Sequence, residues 1–295
     1  MPTQHLCRTL GFVALVSLAT VPVNAHHEAM FGPQSAAVLS PTIFLAAQVF
    51  DKEEGKDAEK RRETTTVYSV GFTPLKKQPL SIAFVLPVTF ASGVASPSTP
   101  GSASRGFEDT LLTARYRLDA PGIASSLGLD RSYVMGVGGL EMPTGTIDHP
   151  FGHGAFGEIA AGLFSVEKRP IAAIAYVYYH HRGVHDGLRD SGNMFAGGGI
   201  AYTPIDDDAK GKLFSMQLGL SYENTFASEQ NGVPLAESGA SGIFVHPGIV
   251  FSVNPALQFF GLVSLPVTQQ WNSIIDRQRF RLGTGIIWIL KHSGT

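Results

Sequence analysis

The chain has 295 residues, a net charge of −2, 16% charged side chains and 44% apolar ones. So little charge without a matching excess of apolar residues is unusual for a water-soluble enzyme, and a near-neutral chain offers no electrostatic footprint for nucleic acid. The single cysteine, Cys7, excludes an intrachain disulfide.

Taken in order, residues 1–25 read as a cleaved leader, with Arg8, an apolar run over 10–23 and the small-residue site Val23-Asn24-Ala25 before His26. That run is short for a membrane span, and no later stretch reaches about 18 unbroken apolar residues. Cys7 precedes the run, whereas a lipid-anchoring cysteine would follow it. Removal of the leader also removes Cys7, and with it any cysteine ligand or nucleophile. An exported chain with no helical span can enter a membrane only as a closed barrel, because lipid offers no partner to unpaired backbone groups.

Residues 26–39 form a polar lead-in, and from residue 40 the side chains alternate with a period of two, which is the period of a strand. Strands are predicted over 40–50, 64–72, 80–90, 110–118, 133–142, 156–166, 171–181, 193–203, 213–226, 243–253, 257–267 and 276–290. The charge run 51–63 between the first two reads as a solvated loop. In the fourth strand Arg115 and Arg117 alternate with Leu112, Ala114, Tyr116 and Leu118. In the sixth Glu158 opposes Ile159, Ala161 and Leu163. In the ninth Met216, Leu218, Leu220 and Tyr222 oppose Ser215, Gln217, Ser221 and Glu223. In the last Arg277, Arg279 and Arg281 share one face, while Phe280, Leu282, Ile286 and Trp288 share the other.

Connections after odd-numbered strands are mostly longer and polar, and those after even-numbered strands mostly short. Long outer loops and short periplasmic turns give this order, and an even strand number puts both termini on the periplasmic side. The fold class expected is all-β: a single closed antiparallel transmembrane β-barrel of about twelve strands over residues 40–291, with a tail at 292–295. Its oily side chains face lipid and its polar side chains face the lumen. Its place is the outer membrane of a Gram-negative bacterium. Trp271, Trp288, Tyr68, Tyr116 and Tyr222 are expected in interfacial aromatic girdles.

Three segments, FEDTLLTARYRL (107–118), GVGGLEMPTGT (136–146) and LVSLPVTQQWN (262–272), resemble the phenol-degradation MetA-pathway family of bacterial outer-membrane proteins, which are described as transporters. The resemblance spans most of the mature chain and implies an outer-membrane barrel that moves small solutes, hydrophobic or aromatic ones by the family's name alone. Lipid and the barrel assembly machinery are the implied partners. Many such barrels end on an aromatic residue, whereas this chain continues past Trp288 to Lys-His-Ser-Gly-Thr.

The residues placed in the lumen are Arg115, Arg117, Glu158, Glu223, His246, Arg277, Arg279 and Arg281. They mix both signs. They can fill a narrow barrel with salt bridges, leaving a structural or binding barrel that acts through its outer loops, or they can line a polar channel favouring anions. No cofactor is expected, and no metal motif is present. His26-His27 at the mature N-terminus are weak metal candidates, as are His149 and His153 in one loop with His180, His181 and His185 beside another, if those strands are neighbours. No serine sits in a nucleophile elbow, and the serines and histidines are scattered over different strands. Enzymatic activity is therefore not expected, a lipid-modifying barrel enzyme being the weakest alternative.

Overall fold

The computed structural model describes residues 44–54, 61–72, 80–93, 104–145, 152–207, 212–236, 238–254, 256–271 and 278–289. The leader, His26, His27, His149 and Arg277 lie outside them. Twelve long strands carry the fold: β1 (Phe44–Glu54), β2 (Arg61–Phe72), β3 (Leu80–Gly93), β5 (Thr110–Asp119), β6 (Arg131–Met142), β7 (Gly157–Lys168), β8 (Ile171–Arg182), β11 (Asn193–Asp207), β12 (Lys212–Thr225), β15 (Ala240–Asn254), β16 (Leu257–Trp271) and β17 (Gln278–Ile289). The short strands are β4 (Ser104–Phe107), β9 (Val184–His185), β10 (Leu188–Arg189), β13 (Glu229–Gln230) and β14 (Val233–Pro234), and among the described residues one helix, α1, spans Pro121–Ser126.

The long strands and β4 form one strongly curled antiparallel sheet in the order β2-β1-β17-β16-β15-β12-β11-β8-β7-β6-β5-β3-β4, and β2 pairs with β3 as well. The first and last long strands are neighbours, with Phe44 opposite Ile289 and Leu45 opposite Trp288. The expected β16–β17 hairpin is present, Leu257 facing Trp288.

One rim carries the short connections: β7 meets β8 at 169–170, β11 and β12 are four residues apart in the chain and β15 and β16 are two apart. The longest connection on this rim contains α1, which starts on Pro121, a residue that needs no N–H partner at a helix start. The other rim carries the long loops, 143–156, 183–192 and 226–239 among them.

Two of these loops are themselves hairpins. Asp186-Gly187 and Asn231-Gly232 adopt positive φ, the requirement of a tight two-residue hairpin turn, and form the β9–β10 and β13–β14 ribbons. The two ribbons join edge to edge, Leu188 facing Gln230 and Arg189 facing Glu229, and the latter pair is an ion pair of 3.1 Å. Both dipeptides were legible as turn signals, yet the segments read only as loops from sequence.

The charge run 51–63 is not one loop. β1 continues to Glu54 and β2 begins at Arg61, with Lys52 opposite Glu63, Glu53 opposite Arg62 and Glu54 opposite Arg61 in register. Opposite signs at facing positions suit an extended hairpin better than a coil.

The side-chain distribution is the reverse of a soluble sandwich. On β12 the bare face is Met216, Leu218 (50% exposed), Leu220 and Tyr222, while the covered, concave face is Ser215 (0%), Gln217, Ser221 and Glu223. A two-layer soluble protein buries the apolar face and shows the polar one. Here the convex surface presents Tyr68, Val70, Phe84, Leu112, Val177, Ile249 and Trp288, among others, which far exceeds the isolated apolar patches of ordinary monomers.

Candidate functional site

The concave face has two chemical halves. β12, β15, β16 and β17 supply the polar half. Ser221 Oγ and His246 Nε2 share a bond of 2.7 Å, His246 Nδ1 and Ser264 Oγ one of 2.8 Å, and Ser221 donates to Glu223 Oε1 at 3.1 Å. Glu223 Oε2 meets Arg281 Nη2 at 2.7 Å, and the Arg281 guanidinium lies 4.5 Å over the Phe244 ring. All of these are buried or nearly so, and the satisfied bonds compensate the cost of covering them. Register brings them together, since the pairings Gly219–His246 and Val245–Leu265 place three distant segments side by side.

The serines and histidines scattered in sequence thus converge on one buried cluster. Ser221 Oγ bridges the His246 imidazole and the Glu223 carboxylate.

The second half, formed mainly by β6, β7, β8 and β11, is apolar along its middle, between Glu141 and His180 at one end and Ser165 and Glu167 at the other. Tyr133, Met135, Val137, Ile159, Leu163, Ala172, Ile174, Tyr176, Tyr178 and Ala201 form one buried cluster, and Tyr178 stacks on Phe195 with ring centres 5.3 Å apart. This half was expected to be polar. The outer face of the same strands is also largely apolar, Val134, Leu140, Phe164, Val177 and Tyr179 being exposed, so hydrophobicity could not tell the two faces apart.

Glu158 is the residue most affected. It is exposed and lies on the convex face, opposite Leu140 and His181 in register, while Ile159 and Leu163 turn inward. As the second residue of β7 at the long-loop rim, it can reach interfacial water from the outer face, where a charge costs little.

Of the other expected lumen residues, Arg115 is fully covered (1%), Glu223 and His246 are buried, and Arg281 is partly buried on the concave face. Arg117 lies 4.1 Å over the Tyr133 ring and bonds Asp119 at 3.0 Å. Arg279 is exposed near the long-loop end of β17. Tyr68, Tyr116, Tyr222 and Trp288 are exposed on the convex face. Trp271 is not. It takes the same register face as Gln269, opposite Ala240, and donates its ring N–H to Gln269 Oε1 at 2.5 Å.

Packing also crosses the interior. Ala83 of β3 belongs to one apolar cluster with Leu213, Val250, Phe260, Leu262 and Ile287, all from strands that do not adjoin β3 in the sheet. At the long-loop rim a polar network links Asp109, Glu141, His153, His180, Arg182 and Asp190. Sequence reading singled out only the histidines of that group.

No protein-family model and no curated protein sequence matches the chain. Solved structures do. The COG4313 outer membrane channel from Pseudomonas putida F1 superimposes with a TM-score of 0.64 at 14% identity, over 92% of this chain and 99% of that one. The beta domain of the Bordetella autotransporter BrkA follows at 0.49 and 12%, over 84% and 99%, and the KdgM porin at 0.41 and 10%, over 82% and 98%. At such identities the first likeness establishes architecture alone: the chain has the fold of an outer-membrane β-barrel.

Proposed function

We propose that this protein is a passive channel or transporter for small solutes in the outer membrane of a Gram-negative bacterium, built as a closed twelve-strand barrel after removal of residues 1–25. The observation that carries this reading is the inverted face chemistry, with apolar side chains bare on the convex surface and ionised ones covered on the concave surface. The pairing of β2 with β3 supports closure, since every long strand then has two partners and no sheet edge meets lipid. The convex face is the lipid contact, and assembly would call on the barrel assembly machinery.

The likeness to an outer-membrane channel over nearly the whole chain agrees with a transport role. The resemblance to the MetA-pathway transporters suggests hydrophobic or aromatic solutes, and the inner wall is rich in aromatic side chains, Tyr133, Tyr176, Tyr178 and Phe195 among them. In this reading Arg115, Arg117, Glu223, His246, Arg281 and Arg279 line the path, and Arg277, outside the described residues, is assigned to the same set.

A second reading has its own observation. The cluster joining Ala83 to Phe260 and Val250 bridges the interior, as in a plugged barrel acting through its loops. Planar-bilayer recording of the refolded chain separates the two. Stable conductance steps, with ion selectivity altered by Arg279→Glu, support the channel. Silence from protein whose folding is verified by heat-modifiable gel migration supports the plug and overturns the proposal.

A further inference from the structure

The network at the long-loop rim has the composition and geometry of a metal site. Asp109, just before β5, Glu141, near the end of β6, and His153, in the 143–156 loop, each offer one ligand atom, and these atoms all lie within 4.8 Å of one another. Asp109 and Glu141 are buried and His153 is partly buried.

The surroundings position each group. Asp109 is held by two backbone donors, Gly145 N–H to Oδ1 and His153 N–H to Oδ2, both at 2.8 Å. These bonds tie the 143–156 loop to the start of β5 and leave each carboxylate oxygen a further lone pair. Glu141 Oε2 accepts from His180 Nε2 at 2.9 Å and from Arg182 Nε at 3.3 Å, while its Oε1 has no partner among the described residues. Gly157 makes room for this carboxylate, since a Cβ there would stand 2.6 Å from Oε2.

His153 Nδ1 lies 2.6 Å from Asp190 Oδ2. A carboxylate at that distance keeps the proton on Nδ1. The lone pair then rests on Nε2, which has no partner among the described residues. A carboxylate orienting an imidazole in this way is the usual support of a metal-bound histidine. The Asp109 and Glu141 carboxylates thus stand beside an imidazole nitrogen with a free lone pair, the donor set a divalent cation takes. Two carboxylate oxygens and an imidazole nitrogen suit a first-row transition ion such as Zn2+, whose ligands sit at about 2.0–2.2 Å, better than Mg2+ or Ca2+, which prefer oxygen alone.

We propose that Asp109, Glu141 and His153 form a divalent transition-metal site at the long-loop rim, oriented by Asp190, which ties the 143–156 and 183–192 loops to the barrel wall. The ion is a structural clasp on the mouth, and small side-chain rotations close the ligand atoms onto it.

The test is calorimetric titration of Zn2+ into the untagged, metal-stripped full chain, folded in detergent and checked by heat-modifiable migration. One Zn2+ per chain is expected, not displaced by excess Mg2+. His153→Ala, a partly exposed loop position that should leave folding intact, weakens binding at least about 100-fold, and Asp190→Asn weakens it about 10–100-fold through the orientation of the ring. Replacing His26 and His27 by alanine leaves this binding unchanged. No stoichiometric binding by the folded chain, equal affinity in the folded His153→Ala variant, or loss of binding with His26 and His27 would each overturn the site. None of these outcomes depends on conductance.

Discussion

Glu223 on β12 and Arg281 on β17 are joined by an ion pair of 2.7 Å although β15 and β16 stand between their strands in the sheet. The contact therefore crosses the concave side of the curl instead of running along it. Phe244, on the strand next to β12, lies under the same guanidinium. Arg281 thus draws three of the four strands of the polar wall together.

Removing one partner leaves the other covered and unpaired. Arg281→Met should destabilise the folded barrel by about 3–5 kcal/mol, read from urea unfolding in detergent. Adding Glu223→Gln to it should recover part of that loss, because the uncompensated carboxylate is then gone. Equal stability of Arg281→Met and the parent would show that the pair contributes nothing.

The convex face should tolerate charge poorly at mid-height. Leu218, near the middle of β12, is bare and apolar. Leu218→Arg should cost about 2–4 kcal/mol in lipid, the depth-dependent cost of a cation at the bilayer midplane. The neighbouring inward change Gln217→Ala should cost far less. Reversed magnitudes would mean that the two faces have been exchanged.

Phe260 stands in the apolar cluster that reaches across to Ala83. Phe260→Ala should lower stability by about 3–5 kcal/mol, the usual cost of deleting a buried ring. If that cluster limits flow, single-channel conductance should also rise. Conductance unchanged in a folded variant would place the constriction elsewhere.

Gly197 and Gly198 on β11 lie against neighbouring backbone. A Cβ at Gly197 would stand 2.4 Å from the Leu220 carbonyl oxygen, and one at Gly198 would stand 2.6 Å from that of Ile174. Neither neighbour can yield without breaking a ladder. Gly197→Ala should sharply reduce the heat-modifiable, folded fraction on refolding, whereas Gly136→Ala on β6, where a Cβ would meet nothing within 4 Å, should refold normally.

Strand existence was legible because the period of two is local. β12, with hydroxyls and amides on one side and large apolar groups on the other, announced its two faces unaided. Most predicted segments are present with bounds shifted by a few residues, and β1 and β2 run further into the charge run than expected. The face of a strand was legible only where the two sides differ in polarity. On β7 both sides are apolar from Ile159 to Phe164, and the charge that precedes them, Glu158, suggested the wrong side. Its height at the rim decides its direction, and height follows from the register of Glu158 against Leu140 and His181.

By itself, then, the amino-acid order determined an all-β chain with alternating strands and unequal rims, since these depend on side chains a few residues apart. Which serine meets which histidine, how Ala83 reaches Phe260, and why Asp109, Glu141 and His153 share one corner were decided by curvature and register. Those contacts join segments far apart in the chain, and no local periodicity encodes the distance between them.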